Sequence, residues 1–222
     1  MKNLLKILAL VLVFAMTAVM FVACDKDNND NGGNSGSGDG PQKPVTTVDT
    51  TISDAALKNM VGNGNLYVTD VGLSGTGTVK QFLTRSGLTE NTDFTISNTL
   101  TASEVNAGDT VIIVLGTSQK GLGGAGVSQA DELARAQAFV AKEGINIIAV
   151  HTGGKGYRGE SSDPIISAVV PAAEVVLIVD AGDGEGGDYD GLFTTLCGSN
   201  VPLYKFSKAA NMLASIGFLV KA

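Results

Sequence analysis

The feature that most restricts this chain is a recurring phrase: a short apolar run, a glycine-rich turn, then a helical stretch. It is clearest at Val111-Ile112-Ile113-Val114-Leu115-Gly116, followed by Thr117-Ser118-Gln119-Lys120-Gly121-Leu122-Gly123-Gly124-Ala125-Gly126-Val127. Five apolar, mostly β-branched residues describe a strand buried on both faces. A helix opening beyond such a loop aims its unpaired backbone N–H groups back over the strand's end. Here Ser128 opens it, with Asp131 three residues on in a near capping box. The helix runs to Glu143, places Leu133, Ala136 and Val140 on one face, pairs Asp131 with Arg135, and stops at Gly144.

The same plan recurs on both sides of this unit. Before it, Leu66 to Val71 predicts a strand, Gly72 to Thr78 a loop, and Val79 to Ser86 a short helix ended by Gly87. Phe94 to Ser97 predicts a second, short strand, and Thr101 to Glu104 a short helix on the return. After it come a strand at Asn146–His151 with the loop Gly153-Gly154-Lys155-Gly156, and a helix near Ser162-Asp163-Pro164. Next are a strand at Glu174–Asp180, a loop at Gly182–Gly187 and a helix at Asp190–Cys197. A last strand at Val201–Phe206 and a helix at Ser207–Phe218 close the chain. Val45 to Met60 is ambiguous: Thr46 to Thr51 could form an edge strand, and Ser53-Asp54 could cap a short helix.

Alternating strands and helices call for an α/β fold, a three-layer, doubly wound, mostly parallel sheet of five to six strands. The short second strand suits the flavodoxin-like order 2-1-3-4-5, extended by a sixth. The crevice between the Gly72–Thr78 and Gly116–Val127 loops is then the expected ligand position.

The first 44 residues read differently. Met1 to Ala23 has a basic start at Lys2 and Lys6, an apolar run from Ile7 to Val22, and Ala23-Cys24 at its end. That is a secretory signal in form, and a cysteine after a small residue at the cleavage point resembles the bacterial lipobox. The expectation is a signal peptide over 1–23, lipidation (palmitate among the acyl groups) at Cys24, and a linker rich in Asn, Asp, Gly and Ser over 24–44. A single domain over 45–222 would then be tethered to the cell membrane, facing outside the cytoplasm. A plain transmembrane anchor is the competing reading of the apolar run. The full chain carries net charge −7, and without residues 1–23 it has 13 basic and 22 acidic groups, or −9. Such acidity excludes a phosphate-backbone binder, so no nucleic-acid partner is expected.

Several phrases together resemble a bacterial family of secreted α/β proteins classed as a domain of unknown function. They are Lys120-Gly121-Leu122-Gly123 with Ala125-Gly126, Glu132-Leu133-Ala134-Arg135, and His151-Thr152-Gly153-Gly154. Arg158-Gly159 with Ser162-Asp163, and Asp190-Gly191-Leu192-Phe193, complete the set. The resemblance spans Leu66 to Phe206 and implies the fold and an extracytoplasmic location. It implies no activity.

Motifs for nucleotide and metal chemistry fall short. Gly121-x-Gly123-x-x-Gly126 matches the dinucleotide fingerprint, but the following strand ends in His151 and not in the acid a ribose needs. Gly116-x-x-x-x-Gly121 starts like a P-loop, yet Leu122 stands in the lysine position. Ser74-Gly75-Thr76-Gly77-Thr78 resembles a flavodoxin phosphate loop, so FMN is a lesser alternative, while the main reading has no cofactor. No G-x-S-x-G elbow exists. No metal is expected: a zinc site lacks ligands, and Asp183, Glu185, Asp188 and Asp190 fit a solvated acidic loop better than a weak calcium site. Cys197, among Leu192, Phe193 and Leu196, fits a buried small hydrophobe.

What remains is a set of polar residues at one sheet edge: Ser74, Thr76, Ser118, Lys120, Gly121, Gly123, His151, Gly153, Arg158 and Ser162. Lys120, Lys155 and Arg158 form a local positive cluster on an acidic domain, which points to a small anionic ligand or an envelope partner. Arg158 would hold the anion as a fork and Lys120 as a point charge. A hydrolase or transferase using His151, the sole histidine, is the alternative. Solvated loop charges and a hydrogen-bonded strand-end histidine are the plainer reading.

Overall fold

The computed structural model describes residues 47–221. The expected signal peptide, Cys24 and the linker lie outside them. Seven strands form one all-parallel sheet: β1 (Thr47–Val48), β2 (Leu66–Val71), β3 (Thr95–Ile96), β4 (Thr110–Leu115), β5 (Asn146–His151), β6 (Val175–Val179) and β7 (Leu203–Phe206). Their order is β1-β7-β6-β5-β4-β2-β3. From β2 onward this is the flavodoxin-like arrangement with a sixth strand. The ambiguous stretch before β2 supplies a seventh, two-residue edge strand beside β7.

The α-helices are α1 (Gly77–Arg85), α2 (Gln119–Ala125), α3 (Gln129–Ala141), α4 (Asp163–Val169), α5 (Leu192–Cys197) and α6 (Leu213–Val220). Strand residues alternate between two cores. Val111, Ile113 and Leu115 pack with Ala136 and Phe139 of α3, Ile165 and Val169 of α4, and Phe193 of α5. Ile112 and Val114 face the other side, with Phe82 and Leu83 of α1 and Ile216 and Leu219 of α6. Both faces of β4 are therefore sealed, which is why its residues are apolar without a break. Cys197 lies in the first core, and burial, reinforced by nearby Asp188, pushes its thiol up to about 12. Among the described residues, no helix is long and apolar enough to cross a membrane.

Several expectations are corrected. The segment expected as a glycine loop after β4 contains a helix, α2. Ser118 Oγ accepts from Gly121 N at 3.0 Å to cap it, and Gly126, at φ +67°, closes it in the left-handed region. Arg135 does not pair with Asp131; Asp131 completes the capping box with Ser128, and Arg135 bonds Glu132 instead. The closing helix is split into a 3₁₀ turn at Ala209–Met212 and α6. The helix expected from Asp190 begins at Leu192, because Asp188 and Asp190 turn back to bond its first N–H groups.

Candidate functional site at the C-terminal edge of the sheet

In a parallel sheet every strand-to-helix loop leaves at the same edge, so residues far apart in sequence meet there. Between β2 and β4 the meeting is direct. Leu73 and Thr117 form an antiparallel bridge, and Ser118 N donates to Gly72 O at 2.8 Å. A Cβ on Gly72 would come within 2.4 Å of Gly116 O, and one on Gly121 within 2.7 Å of Leu73 O. Glycines Gly72 and Gly121 thus let two loops touch where an open crevice was expected. Gly116 is the meeting point: a Cβ there would lie 3.2 Å from Tyr157 Cβ and 3.4 Å from Ser74 Cβ.

Most of the expected ligand-holding groups are occupied by the protein itself. Arg158 has a side chain with no exposure. Its Nε donates to Asp163 Oδ1 at 2.7 Å, Nη2 reaches both oxygens of Asp190 at 3.0 Å, and Nη1 donates to Gly187 O. Its guanidinium carbon also lies over two rings, 5.1 Å from the Tyr189 ring centre and 5.4 Å from that of Phe193. Burial alone would lower its pKa, but the bonds to Asp163 and Asp190 raise it further. The fork expected to hold an anion is already filled. Arg158 instead ties the loop after β5 to the loop after β6.

His151 is wholly buried. Nδ1 lies 2.9 Å from Leu115 O and Nε2 lies 3.0 Å from Gly154 O, with Phe193 beside the ring. A neutral imidazole has one N–H, so one ring nitrogen faces a carbonyl without a proton to share. Burial holds its pKa below the usual histidine value; Arg158 adds to that, and the two backbone bonds oppose it. In the described conformation the ring is enclosed, with both nitrogens turned to backbone carbonyls.

The other expected residues divide similarly. Ser162 Oγ accepts from Thr117 N at 2.9 Å, and Ser118 caps α2. Gly153 underlies Tyr157, whose ring would clash with any side chain there, and Gly123 lies in open space. Thr76 is buried, with a long 3.4 Å contact to Asn98. Lys155 pairs with Glu185 at 3.1 Å on the surface, whereas Lys120 is exposed on α2 and forms no ion pair with the described residues. In the acidic loop, Asp188 bonds Lys205 at 2.8 Å and caps α5, and Asp190 holds Arg158. Those acids serve as partners and caps, and no cluster able to hold a metal occurs among the described residues.

A second clamp was not foreseen. Glu132, almost fully buried, accepts from Gly72 N at 2.7 Å and from Arg135 Nη2 at 2.7 Å. Arg135 also donates to Thr69 Oγ1 at 3.0 Å, Leu100 O at 3.1 Å and Asp70 O. The pair fixes the end of β2 onto α3. Two polar side-chain atoms nearby lack partners. Asp70, with no exposure, bonds Gly75 N at 2.7 Å through Oδ2, but Oδ1 has no partner. Ser74 Oγ, also buried, has none either. Burial pushes the Asp70 carboxyl above its ordinary value. Sequence reasoning listed Ser74 and missed Asp70; the available signal was an acid inside the otherwise buried strand Leu66–Val71.

Residues 63–217 match the family model described as Domain of unknown function (DUF6305). The chain belongs to this family. No curated protein and no solved structure matches it. In this DUF6305 domain, the phrases that carry the resemblance are largely clamp parts. Glu132 and Arg135 fix β2, while Arg158, Asp163 and Asp190 fix the loops after β5 and β6.

Proposed function

We propose that this DUF6305 protein is a lipid-anchored, extracytoplasmic binding module whose ligand or envelope partner meets it at the C-terminal edge of the sheet. The anchor rests on Ala23-Cys24 after the apolar run. One observation carries the choice of binding over catalysis: His151, the histidine a hydrolase or transferase would use, is buried with both ring nitrogens facing backbone carbonyls. Among the described residues, the buried polar side-chain atoms without partners are Asp70 Oδ1, near the end of β2, and Ser74 Oγ, in the turn that follows it. Among the expected anion-holding cations, Lys120 alone is free of an ion pair with the described residues. An anionic ligand would therefore rest on Lys120 and loop N–H groups.

The anchor is tested by mass spectrometry of the native protein, with acylated Cys24 as the expected new N-terminus. An intact Met1, or release unaffected by Cys24→Ala, contradicts it. The binding reading is tested by thermal shift of the purified protein against metabolite pools. Stabilisation without turnover is expected; turnover of a pool component contradicts it.

A further inference from the structure

The segment 119–126 is fixed at both ends and lightly held between them. At one end, Thr117 bridges to Leu73 and donates its N–H to Ser162 Oγ at 2.9 Å, while Ser118 N donates to Gly72 O at 2.8 Å. At the other end, the Ser128–Asp131 capping box starts α3. Between these anchors α2 has seven residues, three of them glycine. Leu122 is its single buried residue and belongs to neither core, whereas Gln119, Lys120 and residues 123–126 are exposed. Unlike the other five α-helices, α2 makes no extended packing contact with another described element. An isolated helix this short is marginal in water even when rich in alanine, and each glycine lowers helix formation roughly fivefold relative to alanine. Two glycines of the segment have clear reasons: Gly121 leaves room for Leu73 O, and Gly126 takes the left-handed C-cap. Gly123 and Gly124 have no such reason. Neither has a positive φ, and a Cβ on either would meet nothing within 4 Å. Alanine at both positions would fit and would strengthen the helix.

We propose that α2 is a flap, which opens by unwinding between Ser118 and Ser128 while the rest of the sheet edge stays folded. Its latch is small: the Ser118 cap on Gly121 N at 3.0 Å, the Leu122 side chain and the helix's own backbone bonds. Closed, Gly121 lies against Leu73 and joins the loops after β2 and β4. Unwound, the segment withdraws that contact and uncovers the Leu73 backbone, while the Leu73–Thr117 bridge stays in place. The opening itself follows from local helix energetics, since segments with few buried contacts open at a free energy far below that of global unfolding. Its purpose, gating the edge between β2 and β4, rests on the reading of that edge as the ligand seat. Lys120, the cation that reading assigns to an anion, rides on the flap, so it is set in position only when α2 is wound.

The test is native-state hydrogen exchange of the full-length chain in detergent, read by NMR at increasing, sub-denaturing urea. The amides of Leu122 and Val127, bonded to Ser118 O at 2.9 Å and Leu122 O at 3.1 Å, report on α2; those of Ala136 and Phe139 report on α3. Protection of the α2 amides is expected to be at least roughly a hundredfold lower than that of the α3 amides. It should also be insensitive to urea, because local unwinding exposes little surface. The double variant Gly123→Ala/Gly124→Ala should raise α2 protection at least roughly tenfold. Ser118→Ala, which removes the cap, should lower it roughly fivefold. Circular dichroism confirms folding of each variant, and the wild-type urea profile carries the test if a variant does not fold. Protection of α2 equal to that of α3, with the same urea slope, overturns the inference, as does unchanged α2 protection in the double alanine variant. The readout needs no ligand, so a rigid α2 overturns the flap without touching the ligand seat.

Discussion

Arg158 and Asp70 lie at the same edge of the sheet, both buried and both formally charged, yet their surroundings differ completely. Every guanidinium nitrogen of Arg158, itself in the loop after β5, has an acceptor, drawn from the start of α4 and the loop after β6. Asp70 has one N–H partner and one empty oxygen, under a turn with a left-handed leucine. The difference separates frame from moving part. A fully satisfied buried ion network fixes geometry, whereas strain and unpaired groups persist where something else is meant to complete them.

The comparison breaks most visibly at Arg158. Replacing it with Met leaves Asp163 and Asp190 without their cation, and the expected loss is about 3–5 kcal/mol in urea denaturation. A loss near zero would mean that Arg158 does not hold the frame. Glu132→Gln is expected to be milder, on the order of 1–3 kcal/mol, because the amide oxygen can still accept from Gly72 N while Arg135 loses its counter-charge.

Asp70→Asn sharpens the comparison by changing sign. Burial raises the folded-state pKa of Asp70, so the folded chain holds that proton more tightly than the unfolded chain does. Its favourable contribution is present below the ordinary value of 3.8 and is lost as pH rises through the folded pKa. At neutral pH the ionised, half-partnered carboxylate is a burden, so Asp70→Asn should stabilise the protein by about 1 kcal/mol and bring no gain in strong acid. Destabilisation at pH 7 would show that Asp70 is already well served.

The smallest expected effect is at His151. Its folded pKa is depressed, so on acidification the unfolded chain takes up a proton near 6.5 that the folded chain refuses. Stability contributed by His151 is present above that value and falls as pH drops below it. As the sole histidine, it gives one imidazole NMR signal, which should titrate below 6.5 in the folded protein. A midpoint at or above 6.5 would contradict the burial account.

The fold was legible because β2, β4, β5 and β6 are apolar, largely β-branched runs, each with glycines in the loop that follows. That pattern gives the layers, and the short second strand suits the order that the sheet has from β2 onward. The helix α2 was not legible, since Gly121, Gly123 and Gly124 within seven residues disguise it. Its existence depends on the Ser118 cap and on Gly121 packing against Leu73, a contact across 48 residues. The site was legible as a place but not as a set of roles. Arg158 looked free because Asp190, which takes half of its fork, lies 32 residues on. Lys120 and Lys155 lay in view, whereas Asp70 sat inside a strand, where its charge was the clue.

Amide hydrogen exchange under native conditions tests frame against moving part most directly. The account predicts that Gly75 N–H, held by Asp70 alone, exchanges at least roughly tenfold faster than Gly159 and Asp163 N–H in the Arg158 clamp. Equal protection of the two regions, or faster exchange in the clamp, would contradict it.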